Sequence, residues 1–317
     1  IVMVNITHPG VGFTLDNMQA FDTSKVKTPS FVNFLFDMVP VNIVDSMAKN
    51  QIMQMIFFTV LVGVALVSLG EKVAGVTKIF DQCASIIYKM LDIVMLYSPI
   101  GVLALMANTT AVFGPKLFGV LAKFVFTDWV GCLLIWFFFS GIVWLYTKVN
   151  YLEMCKSMIP IWVNTIATNS SAGTIPITLN VTTERLKVPM SIASFSIPLG
   201  ATINLTGAAL YKTILAFFVA EIYGLQLTID QILMVIIIST IMSIAAPGIP
   251  GGGIVTGAIF LNLLGLPMDL MGPIAGMYRL IDMSHTTVNV SGDVLGTMLV
   301  AKNENIWTGE DFNKTLV

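Results

Sequence analysis

Between Asp230 and Asp269 the chain places 38 consecutive uncharged residues, 231 to 268, and interrupts them midway with Pro247-Gly248-Ile249-Pro250-Gly251-Gly252-Gly253. As one helix this run would reach ~57 Å, nearly twice the ~30 Å hydrocarbon core of a bilayer. A cluster of prolines and glycines cannot stay helical. The economical arrangement is two short helices that meet at a glycine-rich tip within the membrane, a re-entrant hairpin. Residues 157 to 183 repeat the pattern, with 27 uncharged positions interrupted by Thr168-Asn169-Ser170-Ser171-Ala172-Gly173-Thr174 and then Pro176. Non-helical backbone at membrane depth is tolerated only where protein buries it or water reaches it, so both tips are expected to line an internal cavity.

The composition agrees with lipid as the main solvent, since 56% of the residues are hydrophobic and 11% charged, against about 25% charged in a soluble domain. Residues 51–70, 93–112 and 129–147 read as ordinary spans, the last with Trp129 and Trp144 as interfacial anchors and with Asp128 solvated at its edge. The polar stretch from Asp16 to Asp37, which holds Pro29, reads as a long loop outside the bilayer. Ile1 to Ile6 reads as the tail of a truncated helix, so an N-terminal part of the protein is expected to be missing. A net charge of −2 leaves no basic footprint for nucleic acid. Cys83, Cys132 and Cys155 lack the short paired spacing of metal sites and read as buried apolar fillers, and two histidines are too few for a cluster.

Each expected hairpin is followed by a helix with a polar break, Gly200 to Gly207 after the first and Thr286 to Asp293 after the second. The tetrads Asn204-Leu-Thr-Gly and Asn289-Val-Ser-Gly echo one another, as repeat-built transporters would have them. At 3.6 residues per turn Arg279, Asp282, Thr286, Asn289 and Asp293 fall on one stripe, with His285 at its margin. An aspartate at the centre of a spanning helix costs ~2.5–3.5 kcal/mol on insertion scales and needs a partner or a purpose. For Asp282 the bland reading is an ion pair with Arg279, and the sharper one a contact to a substrate ammonium. For Asp293 a cation site is the sharper reading, because its carboxylate, the Asn204 and Asn289 amides and carbonyls freed near Gly200 are hard oxygen ligands suited to an alkali ion. Asn289 or Thr286 would then hydrogen-bond a substrate carboxylate, and an amino acid fits both ends. An aspartyl protease, suggested by Ser291-Gly292-Asp293, is excluded on distance: Asp282 and Asp293 stand ~16 Å apart along one helix, and no second helix offers a central aspartate.

Over essentially its whole length the sequence resembles the sodium-coupled glutamate, aspartate and neutral amino acid transporters, also called dicarboxylate/amino acid:cation symporters. The resemblance is carried by Asn169-Ser-Ser-Ala-Gly-Thr-Ile-Pro176, Pro198-Leu-Gly-Ala-Thr-Ile-Asn204, Pro247 to Gly253, and Asp282 to Asp293. It implies an all-α polytopic membrane protein with two re-entrant helical hairpins and two broken transmembrane helices. It further implies a homotrimer in the plasma or inner membrane, each protomer carrying substrate like an elevator, and not an enzyme. Residues 1–12 would be the tail of a truncated helix, 13–112 scaffold, and 113–317 transport core. The resemblance places Gly200, Asn204, Asn289 and Asp293 at one Na+ site, and Thr202, Leu205, Ser243, Ile244 and Ala246 around a second. It gives substrate contacts to Asn169, Ser171, Ala208, Ile249, Gly253, Asp282, His285, Thr286 and Asn289. The chain departs from the family at Thr206, where an aspartate that helps bind a further sodium is usual. At His285, and in some members at Asn169, acidic-substrate members carry arginine. Either Arg279 supplies the lost charge, or the substrate is a neutral or polar amino acid; a proton-coupled or uncoupled carrier on the same fold is the alternative.

Overall fold

The computed structural model describes residues 1–13, 36–49, 51–244, 246 and 248–314, and among these all regular structure is helical. Most of the loop expected from Asp16 to Asp37, Pro29 included, lies outside the described residues, as does Pro247 of the second tip. The chain divides into two compact units, Lys27–Thr109 in one and Ile1–Val26 with Thr110–Val317 in the other.

In the smaller unit α2 (Ile43–Ala48) opens on Asn42, whose side-chain oxygen accepts from Val44 N and Asp45 N; α1 (Val2–Thr7) belongs to the other unit. Then come α3 (Ile52–Leu69), a 3-10 turn at Gly70–Val73 and α4 (Ala74–Met95). Val60, Leu61, Val64 and Val67 of α3 are all exposed, and a helix apolar on every side faces hydrocarbon. The span expected at 93–112 starts later, as α5 (Ser98–Phe113). Its start is set by Pro99, which lacks an N–H and is tolerated only in a first turn. Cys83 is exposed on α4, which corrects its reading as a buried filler.

The larger unit is built around one long helix. It contains α6 (Lys116–Thr147), α7 (Tyr151–Thr168), α8 (Ser171–Asn180), α9 (Met190–Ile203), α10 (Thr206–Ile222), α11 (Ile229–Ile244), α12 (Gly252–Leu263), α13 (Met271–Asn303) and α14 (Gly309–Lys314). α13 packs against α6, α7, α9, α10 and α12. Of the two expected broken helices only one is broken. α9 and α10 part at Asn204 and Leu205, whereas α13 runs continuously through Thr286 to Asp293. A helix start leaves backbone N–H groups without partners, and here the orphaned Gly207 N donates to Asn289 Oδ1 of α13 at 2.7 Å. Thr287 and Thr297 of α13 meanwhile return their hydroxyls to Met283 O and Asp293 O, both at 2.7 Å. The polar residues thus serve the neighbouring break and their own helix, and α13 has no reason to unwind.

The break between α7 and α8 takes less chain than expected. Asn169 caps α7 in the left-handed region at φ 52°, and Ser170 caps α8 by accepting from Gly173 N at 3.0 Å. Ser171 to Thr174 are already helical. The two tips touch: Gly248 O accepts from Ser170 Oγ at 3.1 Å and from Ala172 N at 3.3 Å.

α10 lies hard against α13. A methyl on Gly207 would stand 2.6 Å from His285 Cα and 2.9 Å from Val288 Cγ1. Backbone cannot give way as a side chain can, so Gly207→Ala is expected to cost about 1–3 kcal/mol or more. Thermal unfolding of the purified protein checks this; an unchanged midpoint would show that α10 can move away freely.

Candidate functional site

The polar stripe of α13 is buried as a unit. Asp282 is 8% exposed, His285 1%, Thr286 3%, Asn289 4% and Asp293 5%. Arg279 does not belong with them. It is exposed, its Nη2 donates to Ala167 O at 3.3 Å, and its own carbonyl accepts from Asn169 Nδ2 at 2.9 Å. The described residues contain no Arg279–Asp282 ion pair, so that reading of Asp282 is corrected. Asp282 instead receives Gly251 N at 3.2 Å on one oxygen and the Tyr278 hydroxyl at 3.4 Å on the other. An ionised carboxylate offers about four acceptor positions, which leaves capacity for a further donor.

The nine residues expected to contact substrate, Asn169, Ser171, Ala208, Ile249, Gly253, Asp282, His285, Thr286 and Asn289, all line one small cavity of about 30 Å³. Its wall is drawn from both tips, from the start of α10 and from α13. That volume holds about one or two waters, so any solute larger than that needs the tips to part. A methyl on Gly253 would overlap the Tyr278 hydroxyl, which is why the second tip closes here on glycine.

About one turn beyond Asn289 along α13, the four residues expected at the first cation site also converge. Asn204 Nδ2 donates to Asp293 Oδ1 at 2.8 Å and to Asn289 O at 3.1 Å. Gly200 lies so close to the Asp293 carboxylate that a Cβ there would overlap it. Asp293 Oδ2 is buried with no hydrogen-bond donor. A buried carboxylate oxygen without a partner is costly, and this one open, hard oxygen position suits an alkali ion, while the Asn204 amide turns its nitrogen to Asp293 and the Gly200 carbonyl accepts from Asn204 N. A larger cleft of about 610 Å³, lined by Phe139, Leu199, Gly200, Asn204 and Asp293 among others, opens beside it.

Of the second cation set, Leu205 and Ala246 pack together with Ala208, and Ser243 is buried. Thr202 and Ile244 have exposed side chains.

Two buried ionisable residues of this region escape a reading of periodicity. Asp128 is fully buried rather than solvated. Its Oδ1 lies 2.8 Å from His285 Nε2, and its Oδ2 accepts from Ser284 Oγ at 2.9 Å. Asp128 is therefore the central aspartate on a second helix that the sequence reading denied, and its partner is an imidazole rather than another carboxylate. Donor atoms of Asp128, Cys132 and His285 lie within 4.8 Å of one another, a grouping that spacing along the chain does not reveal. Trp129 stands 13 residues inside α6 rather than near its end, and its Nε1 donates to Leu280 O at 2.9 Å. The other missed residue is Lys212, the lone charge in the middle of α10, which is fully buried. Its ammonium donates to Ser243 Oγ at 3.2 Å and to Ala208 O at 3.3 Å.

Comparison with known proteins bears on this arrangement directly. The sequence model of the sodium:dicarboxylate symporter family matches residues 1–303. A proton/glutamate-aspartate symporter of Bacillus subtilis (strain 168) is 31% identical over 317 residues, covering 98% of this chain and 76% of that protein. A proton/sodium-glutamate symport protein of Bacillus caldotenax is 28% identical over 317 residues, covering 98% and 74%. A C4-dicarboxylate transport protein of Bacillus subtilis (strain 168) is 29% identical over 314 residues, covering 96% and 74%. These relatives are secondary transporters and not enzymes. Among the described residues, three helical stretches are long and apolar enough to cross a bilayer, Met53–Ile87 (continuous through the 3-10 turn), Lys116–Thr147 and Met190–Ile222 (which includes the break). With a family match over nearly all of its length, a related symporter at 31% identity and apolar helices of spanning length, the chain belongs to the sodium:dicarboxylate symporter family, as a multi-pass membrane protein.

Proposed function

We propose that this chain carries an amino acid across the membrane together with sodium, through a pocket formed by two re-entrant tips, the break between α9 and α10, and the stripe on α13. The observation that carries the reading is convergence: nine residues scattered from 169 to 289 line one small cavity, next to a buried carboxylate oxygen that lacks a donor. Asp282 pairs with the substrate ammonium. Thr286 and Asn289 take its carboxylate, joined by Ala172 N at the start of α8 when the parting tips release it from Gly248 O. The cation is held by Gly200, Asn204, Asn289 and Asp293.

α8, α11 and α12 have 10, 16 and 12 residues. At ~1.5 Å per residue each falls short of the ~30 Å core, which supports hairpins that enter and leave on one side. The separation of Lys27–Thr109 from the rest supports a scaffold within residues 13–112 and a transport core over 113–317, moving as an elevator within a homotrimer, while Ile1–Val26 groups with the core. The substrate side chain is neutral or polar, since Arg279 turns to Ala167 O and His285 is engaged by Asp128.

Uptake of labelled amino acids into proteoliposomes that hold the full-length protein tests this. Sodium-driven accumulation is expected, with ~2.3 kcal/mol gained per net charge per 100 mV. Accumulation that ignores sodium and follows a pH gradient would replace the sodium reading with proton coupling. That second reading draws on the proton symport in the relatives' names and on the buried hydrogen bond between His285 and Asp128.

A further inference from the structure

Two members of the second cation set, Thr202 and Ser243, have polar groups already engaged within the chain. The Thr202 hydroxyl donates back to Leu199 O at 2.7 Å. The Ser243 carbonyl accepts from Ala246 N at 3.3 Å, and its hydroxyl accepts from Lys212 Nζ at 3.2 Å. Lys212 is fully buried, and among the described residues it forms no ion pair. A buried lysine without a carboxylate is rare, because burying a charge is costly unless it is paired and hydrogen-bonded. A methionine would fill the same space without that cost. An ammonium and an alkali ion seek the same thing, oxygen lone pairs around one positive charge, and Ser243 and Ala208 already supply them to Lys212.

We propose that Lys212 is a tethered cation. Its ammonium takes, from within the chain, the position that the family resemblance gives to a second dissolved sodium, and it ties α10 to the end of α11 just before the second tip. The identity of the position rests on the transporter reading; the occupation of Ser243 and Ala208 rests on geometry alone. The chain then needs one dissolved cation fewer than its count of candidate ligands suggests.

The test is the number of sodium ions bound per chain, measured by equilibrium binding of radioactive sodium to the purified full-length protein. This readout does not depend on uptake, so an absence of transport in proteoliposomes would defeat the proposed function and leave this count meaningful. At most one sodium per chain is expected in the wild type, and two or more would overturn the proposal whatever any variant does. Lys212→Gln, which removes the charge and leaves a side-chain oxygen, is expected to bind one sodium more than the wild type and to gain thermal stability in sodium chloride over choline chloride. Lys212→Arg, which keeps a fixed charge, is expected to hold the wild-type count. A Lys212→Gln protein that loses stability equally in both salts and binds no additional sodium would reduce Lys212 to a hydrogen bond between α10 and α11, and the proposal would fall.

Discussion

Replacing Asp282 with asparagine is expected to raise the half-saturating concentration of an amino acid by roughly 100-fold or more, because removing one member of a buried charge pair costs about 3–5 kcal/mol. The substitution preserves shape. Gly251 N and the Tyr278 hydroxyl can still donate to the amide oxygen, so what disappears is the charge proposed to face the substrate ammonium. Uptake kinetics across a panel of solutes resolves the matter, since a dicarboxylate without an amino group should gain nothing from Asp282 and lose little with it. An unchanged half-saturating concentration for amino acids would remove Asp282 from substrate recognition.

Asp293→Asn is expected to have an effect of similar size on the cation. The bond from Asn204 Nδ2 survives with an amide oxygen as acceptor, and the close approach of Gly200 is undisturbed. Only the negative charge is lost. The half-saturating sodium concentration should therefore rise by roughly 100-fold on the same reasoning, while substrate affinity at saturating sodium changes far less. Sodium titration of substrate binding measures this, and equal sodium affinity in the two proteins would place the coupling ion elsewhere.

Much of this architecture is written in local chemistry. Proline and glycine mark the turn between Ile244 and Gly252, whereas in the first run the chain turns at Asn169 and Ser170 and carries Gly173 and Pro176 inside α8. The helical period collects Asp282, Thr286, Asn289 and Asp293 on one buried face. The misreadings share one cause, which is that satisfaction across helices is invisible along the chain. Thr286 to Asp293 resembles the true break at Asn204, yet α13 stays whole because Asn289 spends its side chain on Gly207 of another helix. Asp128 truncates an apolar window and so reads as an edge; its partners, Ser284 and His285, are more than 150 positions away. Lys212 sits one residue past the end of an uncharged stretch and reads as its boundary, and only the arrival of Ser243 from α11 reveals it as interior.

The carbonyl of Gly248 has two claimants, the hydroxyl of Ser170 and the amide of Ala172. A latch of that kind cannot be half undone, since drawing the tips apart forfeits both bonds together and bares three polar groups that then need water. Separation is worthwhile only when water, or something equally able to satisfy those groups, arrives at the seam. A dry leak along it is thereby disfavoured, and the door resists standing ajar with nothing to carry.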